Sequence, residues 1–224
     1  MRLVLRIGGS VVASPINTDL IAKYVDVLMN LKTKEHELAV VVGGGALARE
    51  FIKVAKNLGL NESAQDEVAI SVSRIFAQLF LKKLGVLGCE TVPLTVEDAV
   101  KCLRDRKVAV MGGLKPGMTT DTVAALIAEK VNADLLIKAT DQEGIYDKDP
   151  RKYADAVLLE HLNFEDLSYV FAEDKHKAGI HQILDPEAVK ILKRKRVRVV
   201  VVNGFNPENI LAVVKGKQVG TLID

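Results

Sequence analysis

The sequence predicts an α/β protein built on a doubly wound, mostly parallel sheet, and two observations carry that expectation. Five short runs of aliphatic and β-branched residues recur along the chain, and the longer segments between them have helical spacing. The runs are apolar without alternation, as in strands covered on both faces, which calls for parallel strands joined by right-handed helical crossovers.

In chain order, residues 3–7 form the first expected strand. Leu20, Tyr24, Val27, Leu28 and Leu31 then mark one apolar stripe of a helix. Residues 38–42 give the second strand, and Val68, Val72, Ile75 and Leu79 the stripe of another helix. Residues 108–111 and 133–137 are strands on either side of a helix carrying Val123, Leu126, Ile127 and Val131. Asp185-Pro186-Glu187 opens a further helix, with Asp as cap, Pro at the first position and Glu at the positive dipole end. Residues 198–202 make the fifth strand. The polar stretch 144–159 reads as a ligand loop or lobe boundary. No internal repeat and no Gly-, Ser- or Pro-rich linker divides the chain, so the two halves are expected to share one sheet.

Composition narrows the function. Of 224 residues, 49% are apolar and 27% charged, a globular balance that sets disorder aside. Lys and Arg number 31 against 29 for Asp and Glu, so the net charge of +2 points to no nucleic-acid partner and no membrane-surface partner. The basic cluster 190–198 reads as a solvated helix end, with a polyanion site as the alternative. Cys89 and Cys102 lack metal-ligand spacing and are too few for a disulfide framework; they are expected as packing residues in a reducing compartment. No apolar run reaches the ~18 residues of a membrane span, and the N-terminus enters a strand directly, so a cytoplasmic location is expected.

Three strands run straight into glycine: Ile7-Gly8-Gly9-Ser10, Val42-Gly43-Gly44-Gly45 and Met111-Gly112-Gly113. The carboxyl ends of parallel strands form the ligand edge of such a sheet, and glycine turns there let consecutive amides converge on phosphate oxygens. No G-x-x-x-x-G-K-[ST] occurs, which excludes a P-loop NTPase. Residues 43–48 fit G-x-G-x-x-A, with Glu62 downstream. That dinucleotide reading is the weaker one, because this strand is the second in the chain and Glu62 does not end a strand.

Taken in order, Ile7-Gly8-Gly9-Ser10, the Gly43-Gly44-Gly45 turn with Arg49, Gly112-Gly113 followed by Pro116-Gly117 and Thr119-Thr120-Asp121, and Ala139-Thr140 followed by Gly144, Tyr146 and Asp149-Pro150 resemble the amino-acid kinase family. They are most similar to its archaeal-type uridylate kinase branch. The likeness runs through Lys177-Ala178-Gly179, Asp185-Pro186 and Gly220-Thr221. It implies one three-layer α/β/α sandwich over residues 1–224, with an acceptor-nucleotide lobe about 1–132 and an ATP lobe about 133–224. It also implies phosphoryl transfer from ATP to UMP, Mg²⁺ carried on the substrate phosphates rather than by protein ligands, and a homo-oligomer, usually a hexamer.

Residue by residue, the resemblance gives Gly8, Gly9 and Ser10 to the ATP phosphates, and Gly44, Gly45 and Arg49 to a loop between donor and acceptor phosphates. Thr140, Tyr146 and Asp149 match positions that hold the adenine nucleotide; a buried tyrosine and a turn-forming Asp-Pro are the structural alternative. Asp66 matches a contact to the acceptor nucleotide, and equally reads as a helix cap before Val68. Leu114, Lys115, Pro116, Gly117, Met118, Thr119 and Thr120 form the acceptor loop, entering a helix capped by Thr119 or Thr120. Asp121 matches the aspartate that organises two catalytic cations, here Arg6 and Lys190. Each of these two also has a solvated surface alternative.

The chain departs from the branch where Lys115 and Met118 replace two common histidines, at Asp141-Gln142-Glu143, and at Ile75-Phe76. Also open are a kinase of the same fold acting on isopentenyl phosphate or an amino acid, and a nucleotide-binding regulatory or storage protein without turnover.

Overall fold

A computed structural model describes residues 1–167 and 184–224; Lys177-Ala178-Gly179 lies outside them. Strand β1 (Arg2–Ile7) leads through α1 (Gly9–Val12) and α2 (Thr18–Thr33) to β2 (Glu37–Val42). Helices α3 (Gly45–Asn57), α4 (Glu62–Leu84) and α5 (Val96–Arg104) precede β3 (Ala109–Met111), and α6 (Thr120–Val131) leads to β4 (Leu135–Thr140). Short strands β5 (Ile145–Tyr146), β6 (Leu158–Leu159) and β7 (His161–Leu162) follow, then α7 (Pro186–Lys195), β8 (Val199–Asn203), α8 (Glu208–Val214) and β9 (Thr221–Ile223).

The seven-stranded sheet has the order β3-β2-β1-β4-β8-β9-β7. The five expected runs are its first five strands, all parallel to one another. Beyond them β9 pairs antiparallel with β8 and parallel with β7, an edge too short to read as strands. The sheet therefore takes strands from both halves of the chain.

Side-chain alternation sorts the core into two layers. Leu3, Leu5, Ile7, Val40, Val42, Ile137 and Val202 face α2 and α4, where Tyr24, Leu28, Phe76 and Phe80 are buried. Val4, Val41, Met111, Leu136 and Val201 face α5, α6 and α7, packing on Val123, Ile127, Val189 and Leu192. Helix α5, not foreseen, is held by a capping box between Thr95 and Asp98. Cys89 and Cys102, expected as separate packing residues, instead form a disulfide with Cα atoms 5.9 Å apart. The Gly88–Val108 bridge lays the first cysteine beside β3, and α5 brings the second back to it.

From β1 the chain moves to β2 on one side and later to β4 on the other, so the order reverses between β1 and β4. Ligands of open α/β sheets bind outside the carboxyl ends of strands at such a reversal. Here the β1 and β2 turns meet backbone to backbone. A Cβ at Gly9 would sit 2.1 Å from the Gly45 nitrogen. One at Gly45 would sit 2.3 Å from the Gly9 carbonyl oxygen, at a φ of +59°. The Ser14 hydroxyl locks the pair, donating to the Gly9 carbonyl at 3.1 Å and accepting from the Ala46 amide at 2.6 Å.

These glycines are therefore packing requirements as well as turn residues. Gly45→Ala is expected to cost about 2 kcal/mol or more, lowering Tm by at least ~4 °C for a chain of this size. Gly59→Ala, at φ +77° with open space around it, should cost only ~1 kcal/mol. Equal Tm values for the two variants in thermal unfolding would contradict the packing of the turns.

Candidate active site

The site is assembled where β1, β4 and the start of α6 meet. Arg6 and Lys138 are register partners on adjacent strands, and their parity sends both into the α5–α6–α7 layer. Helix α6 is capped by Thr119, whose hydroxyl accepts from the Thr122 amide at 3.1 Å, which puts Asp121 in the first turn at the favourable dipole end. The Asp121 carboxylate reaches both cations: Lys138 Nζ lies 2.6 Å from Oδ2 and Arg6 Nε 2.7 Å from Oδ1. The arginine contact is an ion pair out of hydrogen-bond alignment, while Arg6 Nη2 donates to the Thr120 hydroxyl at 3.0 Å.

Burial and charge oppose each other here. Burial pushes the Asp121 carboxyl up, but Arg6, Lys138 and the lysine's hydrogen bond outweigh it and hold the group below the usual carboxylate range. Lys138 is 2% exposed. Burial pulls its ammonium down, and although Asp121 pushes it back, the balance leaves it at about 8.

Lys190, the second cation expected from the sequence, is not brought to Asp121. It projects from the solvent face of α7, 74% exposed, with Nζ 3.9 Å from Glu187. Its place is taken by Lys138, which the expected strand 133–137 left outside. Asn132 closes α6 in the left-handed conformation, so 133–134 belong to the turn and β4 runs on through Lys138 to Thr140.

Beside this trio a cleft of about 430 Å³ is lined by Gly44, Asp66, Lys115, Gly117, Met118, Thr119 and Thr120 of the expected acceptor set. Gly113 of the third glycine turn lines it too, with Ala48, Ala69, Ile70 and Ser73, which were not among the expected site residues. Asp66 is not a helix cap. Asn61 caps α4, accepting from the Ala64 amide at 2.9 Å, and Asp66 sits inside the helix, accepting from the Gly117 amide at 2.7 Å. Lys115-Pro116-Gly117-Met118 closes as a turn, with Gly117 at φ +73°. Leu114 is half-buried at its head.

Among the described residues, the amides of Gly9, Ser10, Gly44 and Gly45 find no backbone acceptor. Arg49 is exposed in the first turn of α3. On the β4 side, Thr140 donates to Asp141 at 3.1 Å, and Tyr146 is half-buried on β5. The Asp149 carboxylate accepts from Arg151 Nε and its amide, both at 3.1 Å, so it shapes its own loop. The buried Thr221 hydroxyl ties this loop to β9, accepting from the Ile145 amide at 2.8 Å and donating to the Leu159 carbonyl at 2.6 Å. Asp185 caps α7 and also accepts from the Thr119 and Thr122 hydroxyls, joining the 114–120 loop and the start of α6 to α7.

The amino acid kinase family profile matches residues 1–203. A uridylate kinase of Methanocaldococcus jannaschii is 41% identical over 226 residues, covering all of both chains, and one of Methanobrevibacter smithii is 37% identical, covering 100% of this chain and 99% of that protein. The crystal structure of a uridylate kinase from Archaeoglobus fulgidus superposes with a TM-score of 0.89 at 35% identity, covering both chains fully. A UMP kinase structure from Bacillus anthracis, 19% identical, shares the fold with a TM-score of 0.83 over all of this chain and 95% of that one. The glycine-turn order, the sheet and these full-length likenesses lead to one conclusion: this chain belongs to the amino acid kinase family.

Proposed function

We propose that the chain is a UMP kinase, transferring the γ-phosphoryl group of ATP to the UMP phosphate to give UDP and ADP. The observation that carries the reading is the Asp121 carboxylate holding Arg6 and Lys138 between the glycine turns and the acceptor cleft. Phosphoryl transfer asks chiefly for alignment of the reacting oxygens and neutralisation of the charge on the equatorial ones. Arg6 is the cation that faces the turns, its Nη1 only 3.1 Å from the space a Cβ on Gly8 would fill, and it is assigned to the transferring group. Asp121 fixes the orientation of Arg6. Lys138, too buried to meet a ligand directly, acts as a positioning residue that offsets Asp121 and leaves the trio with net charge +1.

The amides of Gly9, Ser10 and Gly45, with Arg49 at the start of α3, are assigned to the ATP phosphates. Thr140, Tyr146 and Asp149 are assigned to its nucleoside, Asp149 through the shape of the loop. The cleft lined by Gly44, Asp66 and the 114–120 loop is assigned to UMP, so the acceptor belongs to the 1–132 lobe and the donor's nucleoside to the 133–224 lobe, with its phosphates reaching the glycine turns of the first. Mg²⁺ carried on the substrate phosphates would supply neutralisation of their charge. Both Asp121 oxygens already face cations, so substrate phosphate oxygens are the donors assigned to it.

Oligomerisation, with a hexamer as the family likeness implies, is supported by the exposed apolar stripe Phe51, Val54 and Leu58 along α3 and by exposed Ile75 and Leu79 on α4. Among the described residues no helix is long and apolar enough to cross a membrane. A cytoplasmic site of action fits the two nucleotides; the Cys89–Cys102 bond speaks against it, disulfides being rare in reducing cytosol outside hyperthermophiles.

With ATP as donor, kcat/KM for UMP is expected to exceed that for CMP, AMP and GMP. Comparable values for all four would defeat the acceptor assignment. Lys138→Ala should lower kcat on the order of 10²-fold, while Lys190→Ala should stay within about twofold of the parent; a reversed ranking in steady-state kinetics would restore Lys190 to the site.

The free enzyme should also lose activity on an alkaline limb. Lys138 is cationic below about 8 and neutral above it, so kcat/KM for the anionic substrates falls as pH rises through that value. Bound phosphates favour the ammonium and should move the corresponding limb of kcat upward. Lys138→Arg removes the ionisation, and an unchanged limb in that variant would assign it to another group.

A further inference from the structure

Helix α4 holds the acceptor loop at its main chain. Asp66, Ile70, Ser73 and Arg74 recur at helical spacing on the side of α4 that meets β3 and the loop. Ser73 Oγ accepts from the Gly113 amide at 2.8 Å, and Asp66 accepts from the Gly117 amide. The Arg74 guanidinium donates twice, through Nε to the Gly113 carbonyl at 3.1 Å and through Nη2 to the Leu114 carbonyl at 3.0 Å. The fit is tight: a Cβ on Gly112 would lie 2.5 Å from Ser73 Oγ and 2.7 Å from the Arg74 nitrogen. Arg74 itself does not line the acceptor cleft; it lies along a separate pocket of about 360 Å³ with Gln78 and Thr91.

The consequence concerns the polarity of the loop. Leu114, Lys115 and Met118 offer no side-chain acceptor, so a base edge at the loop's head is read by main-chain groups. Two of the carbonyls there are already taken by Arg74, and the Lys115 carbonyl accepts from the Met118 amide. Among the described residues the Leu114 and Lys115 amides have no backbone acceptor. At the head of the loop the main-chain groups without a partner are therefore the two amide donors, while one lone pair of each of these three carbonyls is engaged.

We propose that Arg74 is a specificity-determining positioning residue: by occupying the Gly113 and Leu114 carbonyls it makes the loop complementary to the C4 carbonyl of uracil and unfavourable to the C4 amine of cytosine. A site that offers donors to an amine leaves buried polar groups unpaired, which is what separates two bases of nearly equal shape. The inference rests on UMP being the acceptor.

The test compares kcat/KM for UMP and CMP, and KM for ATP, in the parent, Arg74→Met and Arg74→Lys, with a thermal melt of each. The UMP:CMP ratio should shrink on the order of tenfold in Arg74→Met, chiefly through a raised KM for UMP. KM for ATP should stay within about twofold. Arg74→Lys, which keeps the charge and stem but loses the fork, should fall between, and it decides the matter if the methionine variant melts below the assay temperature. Guanidinium ion should partly restore the ratio in Arg74→Met. A parent that phosphorylates UMP, with either folded variant keeping the parental ratio, overturns the role of Arg74; a parent inactive on UMP overturns the acceptor reading itself.

Discussion

The carboxylate of Asp121, held between two cations under the first turn of α6, is the constraint on which the rest of the site depends. Three charges lie in a layer otherwise built from Val4, Val41, Met111, Leu136 and Val201. Charges in such surroundings are tolerated only as a set, because removing one partner leaves another buried and uncompensated, a loss of roughly 3–5 kcal/mol. The set in turn fixes the register of β1 against β4, which puts Arg6 beside Lys138, and the rotation of α6, which turns Asp121 inward. A net positive charge thus stands at the point where the strand order reverses.

Around that point, packing and chemistry use the same atoms. Gly9 and Gly45 touch backbone to backbone, so the turn whose amides lack backbone acceptors is also the place where β1 and β2 are pinned together. A side chain at either position disturbs the fold before it meets a phosphate, and loss of activity there reports packing as much as chemistry. Helix α4 plays the corresponding part for the acceptor loop, bracing it through Asp66, Ser73 and Arg74. Asp185 joins that loop to α7 through Thr119 and Thr122, so the two halves are coupled by side chains as well as by the shared sheet.

The buried strands were legible in the sequence because short, unbroken apolar runs bounded by glycine suit a strand covered on both faces and little else. Asp185-Pro186-Glu187 named its helix start through cap chemistry, and of the two threonines expected for α6 the structure takes Thr119 as the cap. The β7–β9 edge was not legible, since two- and three-residue strands carry no period. Motif order named Arg6 and Asp121, and the structure brings the two side chains together. Lys138 was hidden by a strand boundary placed too early, although a signal was present: a lysine inside the run Leu135-Leu136-Ile137-Lys138-Ala139 is almost never buried unless paired. Lys190 misled because a sequence motif does not say which face of α7 it occupies. Asp66, Arg74 and the two cysteines act through partners about 13 to 51 residues away, distances at which local pattern carries no information.

If Asp121 and Lys138 act on Arg6 as one unit, their contributions to turnover cannot be independent. A double-mutant cycle on kcat, with Asp121→Asn, Lys138→Met and the pair assayed on UMP and ATP, measures that dependence directly. The account predicts that the double variant is no slower than the slower single variant to within about threefold, because either change already releases Arg6. Losses that multiply in the double variant would mean that the two residues act separately, and would contradict it.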